Sequence, residues 1–270
     1  MDDYLLDKST KLLERIVDGW SSGHAFGSMS TSIYDTAWLA MIQKQGSNTW
    51  LFPECFDHIL FHQTPEGAWP CYSSIVDEIL NTAAALLALR LHMKASPMNP
   101  EWELRSLNAE NALKRAFDRW DISKTDQVGF EILISKHISL LSEEGVDLEF
   151  KQASHLYELG NAKLERLGPS SLYKIPSTLY HSLEGLIGRI DFDEVKAHRE
   201  ANGSMLGSPS STAAYLMHAS AWDDAAESYL RKALEQSSGR GRGGVPCAWP
   251  TTIFETAWVS FVSAVINNIN

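Results

Sequence analysis

Two pentapeptides, Tyr34-Asp35-Thr36-Ala37-Trp38 and Phe254-Glu255-Thr256-Ala257-Trp258, place an aromatic ring, a carboxylate and an indole in the same order near the two ends of the chain. A carboxylate in such company can cap a helix end or act on a bound molecule, and an indole face stabilises positive charge. The first role is the commoner one, so Asp35 and Glu255 read first as helix-end groups. Two further acidic clusters are Asp191-Phe192-Asp193-Glu194 and the stretch from Asp223 to Glu227. In the second, one helical turn sets Asp223 or Asp224 beside Glu227, a spacing that can hold magnesium because hard cations take oxygen ligands. No facing helix offers a second oxygen set, so the cluster reads as a capped helix start and no metal is expected. The cysteines, Cys55, Cys71 and Cys247, form no CxxC pair, which argues against a disulfide framework or a zinc site.

The elements that must position these groups are helices. Apolar residues recur at helical spacing in "SSIVDEILNTAAALLALRLHMK", "PEWELRSLNAENALKRAFDRW", "VGFEILISKHISLLSEEG", "SHLYELGNAKLERL", "PSTLYHSLEGLIGRI", "DFDEVKAHREANG", "SPSSTAAYLMHAS" and "DDAAESYLRKALEQSS". At the N-terminus Leu5, Leu12, Ile16 and Trp20 share one face of an expected amphipathic helix. Strand alternation is nearly absent, and the breaks ("SPMNP", "LGPSS", "GSMLGSP") are short. The spacing therefore predicts one all-α domain over residues 1–270. The stretch "SSGRGRGGVP", residues 237–246, is expected to be a flexible surface loop.

With 34 acidic and 23 basic residues the net charge is −11, which disfavours nonspecific nucleic-acid binding and adhesion to anionic membranes. The N-terminus does not read as a secretory leader, and no run is long and apolar enough for a membrane span, so a cytoplasmic location is expected.

The segments "SIYDTAWLAMI", "QTPEGAWP" and "NTAAALLALR", followed by "YHSLEGL", "GSMLGSPSSTAAYLM" and "RGGVPCAWPTTIFETAW", resemble in order the class II diterpene cyclases of the copalyl diphosphate synthase type. Gln63, Gly67 and Trp69 are similar to the Q…G.W signature that ties helices together in terpene-cyclase barrels. The resemblance spans residues 30–262 and implies an (α/α)-barrel-like helical domain of the γ type. It also implies that the protonating acid would be the middle Asp of a DxDD motif in a following barrel. These 270 residues contain no DxDD, and "DFDE" falls at a helix start instead. In plant members a His of the HSLEGL segment works as a base with an Asn after GGVP. His181 matches the first of these, whereas Cys247 stands where the Asn would be.

Three functions are consistent with this reading. The first is a cofactor-free enzyme closing a non-diphosphate terpenoid by a pericyclic step such as an intramolecular Diels–Alder reaction, for instance one forming a norbornene. That step needs a near-attack geometry and a hydrogen-bond donor. The second is a truncated or split class II cyclase that works with a partner barrel. The third is a noncatalytic terpenoid-binding or scaffold protein. The partner expected is an apolar terpenoid, and a homodimer is left open. The catalytic candidates are His181 and Tyr180. The candidate substrate wall is Cys247, Trp249, Tyr34, Trp69 and Trp258, each of which a core or interface role would also explain.

Overall fold

The computed structural model describes residues 4, 7–11, 29–71, 74–96, 98–239 and 241–267, and within them the chain is all-α. The N-terminal face of Leu5, Leu12, Ile16 and Trp20 lies outside the described residues. Among the described residues the only extended pairings are isolated bridges, such as Ser32 with Val245.

Helix starts follow the local chemistry of the sequence. Helix α1 (Ile33–Ala40) is capped by Ser32, whose hydroxyl accepts from the Asp35 amide. Helix α2 (Pro53–His62) opens on a proline, which has no amide proton to leave unpaired. Helix α3 (Ile75–Ala95) starts at Ser74, with Asp77 and Glu78 in its first turn and Lys94 in its last, matching the helix dipole at both ends. Helix α4 (Pro100–Arg119) is capped by Asn99, and α5 (Phe130–Glu143) and α6 (Ala153–Leu167) follow. Beyond a single turn at Pro169–Leu172 come helices α7 (Pro209–His218), α8 (Asp224–Gln236) and α9 (Thr252–Asn267).

Helix α3 is the centre. Residues Ala83 to Leu89 are buried all round, as a helix packed on several sides requires, and α1, α4 and α5 lie against it. Helix α1 also touches α2 and α7, while α6 lies on α5 and α8 on α7. The expected tie between helices is present: Gln63 Nε2 donates to the carbonyls of Gly67 and Arg105, and Trp69 Nε1 donates 2.7 Å to the carbonyl of Ile59.

Two expectations are corrected. The stretch "PSTLYHSLEGLIGRI" is not an α-helix but two 3₁₀ turns, Thr178–His181 and Leu183–Leu186, broken at Ser182. Tertiary contacts select that shape. Tyr180, Leu183 and Leu186 recur every third residue and are all buried, and the Leu183 amide donates 2.8 Å to the Ser211 hydroxyl. Similarly, "DFDEVKAHREANG" forms only the 3₁₀ turn Glu194–His198. The second correction concerns the glycine-rich stretch, which is partly packed: Gly239 and Gly243 to Pro246 are buried. A Cβ on Gly243 would come within 2.1 Å of the Glu54 carbonyl, so only glycine allows the approach. Val245 then exchanges hydrogen bonds with Ser32 and with the Thr36 hydroxyl, which clamps this segment to the start of α1.

Candidate functional site

The starts of α1, α3 and α7 meet the 3₁₀ turn carrying His181 around a cavity of about 610 Å³. Its wall includes Tyr34, Asp35, Asp77, His181, Glu184 and Cys247. Glu184 is the deepest charged group, only 1% exposed. Its carboxyl accepts 3.0 Å from the Tyr34 hydroxyl and 2.9 Å from the Ser211 hydroxyl. Burial, aided by the neighbouring charge of Asp35, pushes its pKa up to about 7. Asp35 accepts 2.7 Å from the Ser32 hydroxyl and 3.1 Å from the Ser210 amide. Burial raises its pKa too, and those hydrogen bonds together with the nearby His181 charge oppose the rise.

Tyr34 is held neutral, because burial and the adjacent Glu184 and Asp35 carboxyls drive its phenol well above the usual range. Its ring lies 5.3 Å from that of His137, whose burial lowers its own pKa to about 4. On the opposite wall the Cys71 thiol donates 3.8 Å to Asp77, which also accepts 3.3 Å from Gln127. Cys247 is exposed at the mouth, and desolvation of its thiol raises its pKa, so it sits there as a neutral thiol. The cavity thus presents a neutral phenol and thiol, two carboxyls whose pKa burial raises, and an imidazole. Such a set can polarise a bound carbonyl or accept a proton.

Of the residues singled out from sequence, Tyr34, His181 and Cys247 come together at this cavity. The others lie elsewhere. Tyr180 is buried with its hydroxyl donating to the Leu172 carbonyl. Trp69 is 1% exposed in the core, and Trp249 is buried against Tyr229 at a ring separation of 5.7 Å. Trp258 stands on α9, 54% exposed. Glu184, Ser210 and Ser211 were not singled out from sequence. Glu184 lies three residues after His181, and that offset was the available signal.

The acidic clusters are engaged with protein groups. Asp223 caps α8 through the amides of Ala225 and Ala226, accepts from the Tyr215 hydroxyl and pairs with Arg199 at 3.1 Å. Glu227 pairs with Arg231 and accepts from Trp222 Nε1. Asp193 accepts from the Ser220 amide. Among the described residues no group of three or more His, Cys, Asp or Glu is arranged to hold a metal ion.

No family model matches the chain. It is 42% identical over 262 residues to a copalyl diphosphate synthase of Talaromyces verruculosus, covering 94% of this chain and 27% of that protein. It is 45% identical over 240 residues to a pimaradiene synthase of Emericella nidulans, covering 86% and 24%. Among solved structures, abietadiene synthase from Abies grandis matches with a TM-score of 0.77 at 28% identity over 93% of this chain and 32% of that one. The ent-copalyl diphosphate synthase from Arabidopsis thaliana matches with a TM-score of 0.72 at 29% identity over 86% and 33%.

The fold is therefore all-α and terpene cyclase-like, matching about a third of each of those solved chains. The chain is homologous to a segment of the copalyl diphosphate synthases and related class II diterpene cyclases, and it spans about a quarter of the length of the curated relatives it matches.

Proposed function

We infer that this chain forms one wall of a diterpenoid-cyclisation site and supplies the side of it that accepts a proton. The observation that carries this reading is the meeting of His181, Glu184, Tyr34 and Asp35 at a cavity of about 610 Å³, large enough for a diterpenoid skeleton. In this scheme a carboxylic acid on a second helical domain protonates an alkene of the substrate. The π electrons close rings and leave a cation, and His181 takes a proton from the adjacent carbon so that its C–H pair becomes the product alkene. Tyr34 and Glu184 contribute polar groups to the wall of the same cavity. The second domain docks on α9, where Ile253, Phe254, Trp258 and Phe261 stand 88%, 62%, 54% and 63% exposed.

The test mixes the purified chain with geranylgeranyl diphosphate and the Talaromyces verruculosus copalyl diphosphate synthase from which the matching segment has been deleted. Recovery of a cyclised diphosphate by mass spectrometry, lost in His181→Ala, is the expected result. Cyclisation that does not need this chain, or that survives the substitution, sinks the reading.

A second reading, a metal-free pericyclic closure within this chain alone, draws on the neutral Tyr34 phenol and on Glu184, pushed up to about 7, as groups able to polarise a carbonyl when Tyr34 turns from Glu184 to the substrate. Stereoselective isomerisation of a non-phosphorylated terpenoid bearing a diene, an alkene and a carbonyl would establish it, run with EDTA and without partner. An uncatalysed rate and racemic product would end it.

A further inference from the structure

We propose that the cleft between α5, α6 and residues 185–190 binds an amphipathic anion, an oxyanion headgroup carried on an apolar tail. The site shares no lining residue with the His181 cavity. Its floor is made by two glycines. A Cβ on Gly160 would come within 2.8 Å of the Glu131 carbonyl, and one on Gly185 within 3.0 Å of Ile132 Cγ2. Gly160 therefore lies directly on the α5 backbone and Gly185 on the Ile132 side chain, and a hollow of about 290 Å³ opens beside them.

The headgroup end carries two cations. Lys136 and Arg189 both line the hollow, and neither has an ion-pair partner among the described residues. In a chain of net charge −11, two such cations at one hollow form a local reversal of the overall field. Burial depresses the Lys136 ammonium, and the charge of Arg189 adds to that effect against the pull of Glu143. An anion between them would relieve it. Glu131, the carboxylate at this end, is neutralised by Lys163 at 2.5 Å. Ser135 and Ser139 add polar side chains to the same wall. Asn161 adds an exposed amide at the rim.

The tail end is an adjoining hollow of about 270 Å³ that shares Asn161, Leu164 and Arg189 with the first. It continues over Leu167, Leu172 and Leu186. Lys136 does not line this half, whose wall is mainly leucine and isoleucine, with Arg189 shared by both hollows and the exposed Glu165 also in the wall. That arrangement favours a headgroup held by Lys136 and Arg189 and a chain laid along the leucines.

Isothermal titration of the full chain with decyl phosphate, decanoate and inorganic phosphate tests the proposal. One-to-one binding of a decyl amphiphile is expected at a Kd of about 10–100 μM. Arg189→Gln and Lys136→Gln should each weaken it about fivefold or more. Leu164→Gln should weaken both decyl compounds and leave inorganic phosphate unaffected. Tighter binding of decyl phosphate identifies a phosphate headgroup, and equal or tighter binding of decanoate identifies a carboxylate. The proposal is overturned if neither decyl compound binds, if inorganic phosphate binds as well as decyl phosphate, or if Arg189→Gln binds like the parent. Arg189 is exposed, so its variant should keep the parent melting temperature and leave no ambiguity about folding.

Discussion

At the residue scale the most informative group is Glu184. Its folded pKa of about 7 stands above the ordinary value of 4.5. The folded state therefore holds a proton that the unfolded chain releases between those pH values. Stability from this group is fully present below about pH 4.5 and is lost as pH rises through about 7, an effect on the order of 3 kcal/mol. Glu184→Gln is isosteric with the protonated acid, so it should match the parent near pH 4.5 and be more stable at pH 7.5. Glu184→Ala should cost about 2–3 kcal/mol, because the Tyr34 and Ser211 hydroxyls lose their acceptor. Thermal melts across that pH range decide it: a Gln variant that tracks the parent throughout would mean the carboxyl is ionised in the fold. His137 and His92 act in the opposite sense. Burial lowers both to about 4, so their contribution is present above pH 6.5 and is lost as pH falls toward 4.

At the scale of elements, the Q…G.W tie shows what a short signature can specify. Gly67 has φ +91, and a Cβ there would lie 2.4 Å from the Asn108 backbone, so α4 sits directly on the turn. Gly67→Ala should lower the melting temperature by about 5 °C or more, and Gln63→Ala by a similar amount through loss of its bonds to Gly67 and Arg105. An unchanged melt for Gly67→Ala would mean the turn yields without cost.

Most of the helices and the Ser74 and Asp223 caps were legible in the sequence because they depend on residues close in the chain, whereas the tie, which joins Gln63 to Arg105 across 42 positions, was legible only through the resemblance. The site was legible only in part. Tyr34 meets Glu184 across 150 positions and Asp35 meets Ser210 across 175, distances over which periodicity carries no information. Tryptophan was equally opaque, since a core indole such as Trp69 and an exposed one such as Trp258 look alike until neighbours are placed. The 3₁₀ turns at His181 were misread because helical spacing and every-third-residue burial differ little over four residues.

At the scale of the molecule, α9 presents Ile253, Phe254, Trp258 and Phe261 as exposed apolar side chains that the other described residues leave uncovered. Phe254, Trp258 and Phe261 lie edge to face along it, with ring centroids 6.1 and 6.3 Å apart. In the proposed function this aromatic patch is the docking surface, with apolar burial as its driving force. Replacing Phe254 and Trp258 together by Glu should leave the melting temperature within about 2 °C, because exposed rings contribute little to folding. The same double variant should lose cyclisation in the mixture with the segment-deleted synthase, even though the His181 cavity is untouched. Sedimentation of the parent alone separates self-association through this face from recruitment of a different helical domain. A double variant that restores cyclisation as well as the parent would remove α9 from the interface. The proton-accepting wall would then have to meet its acid through another surface.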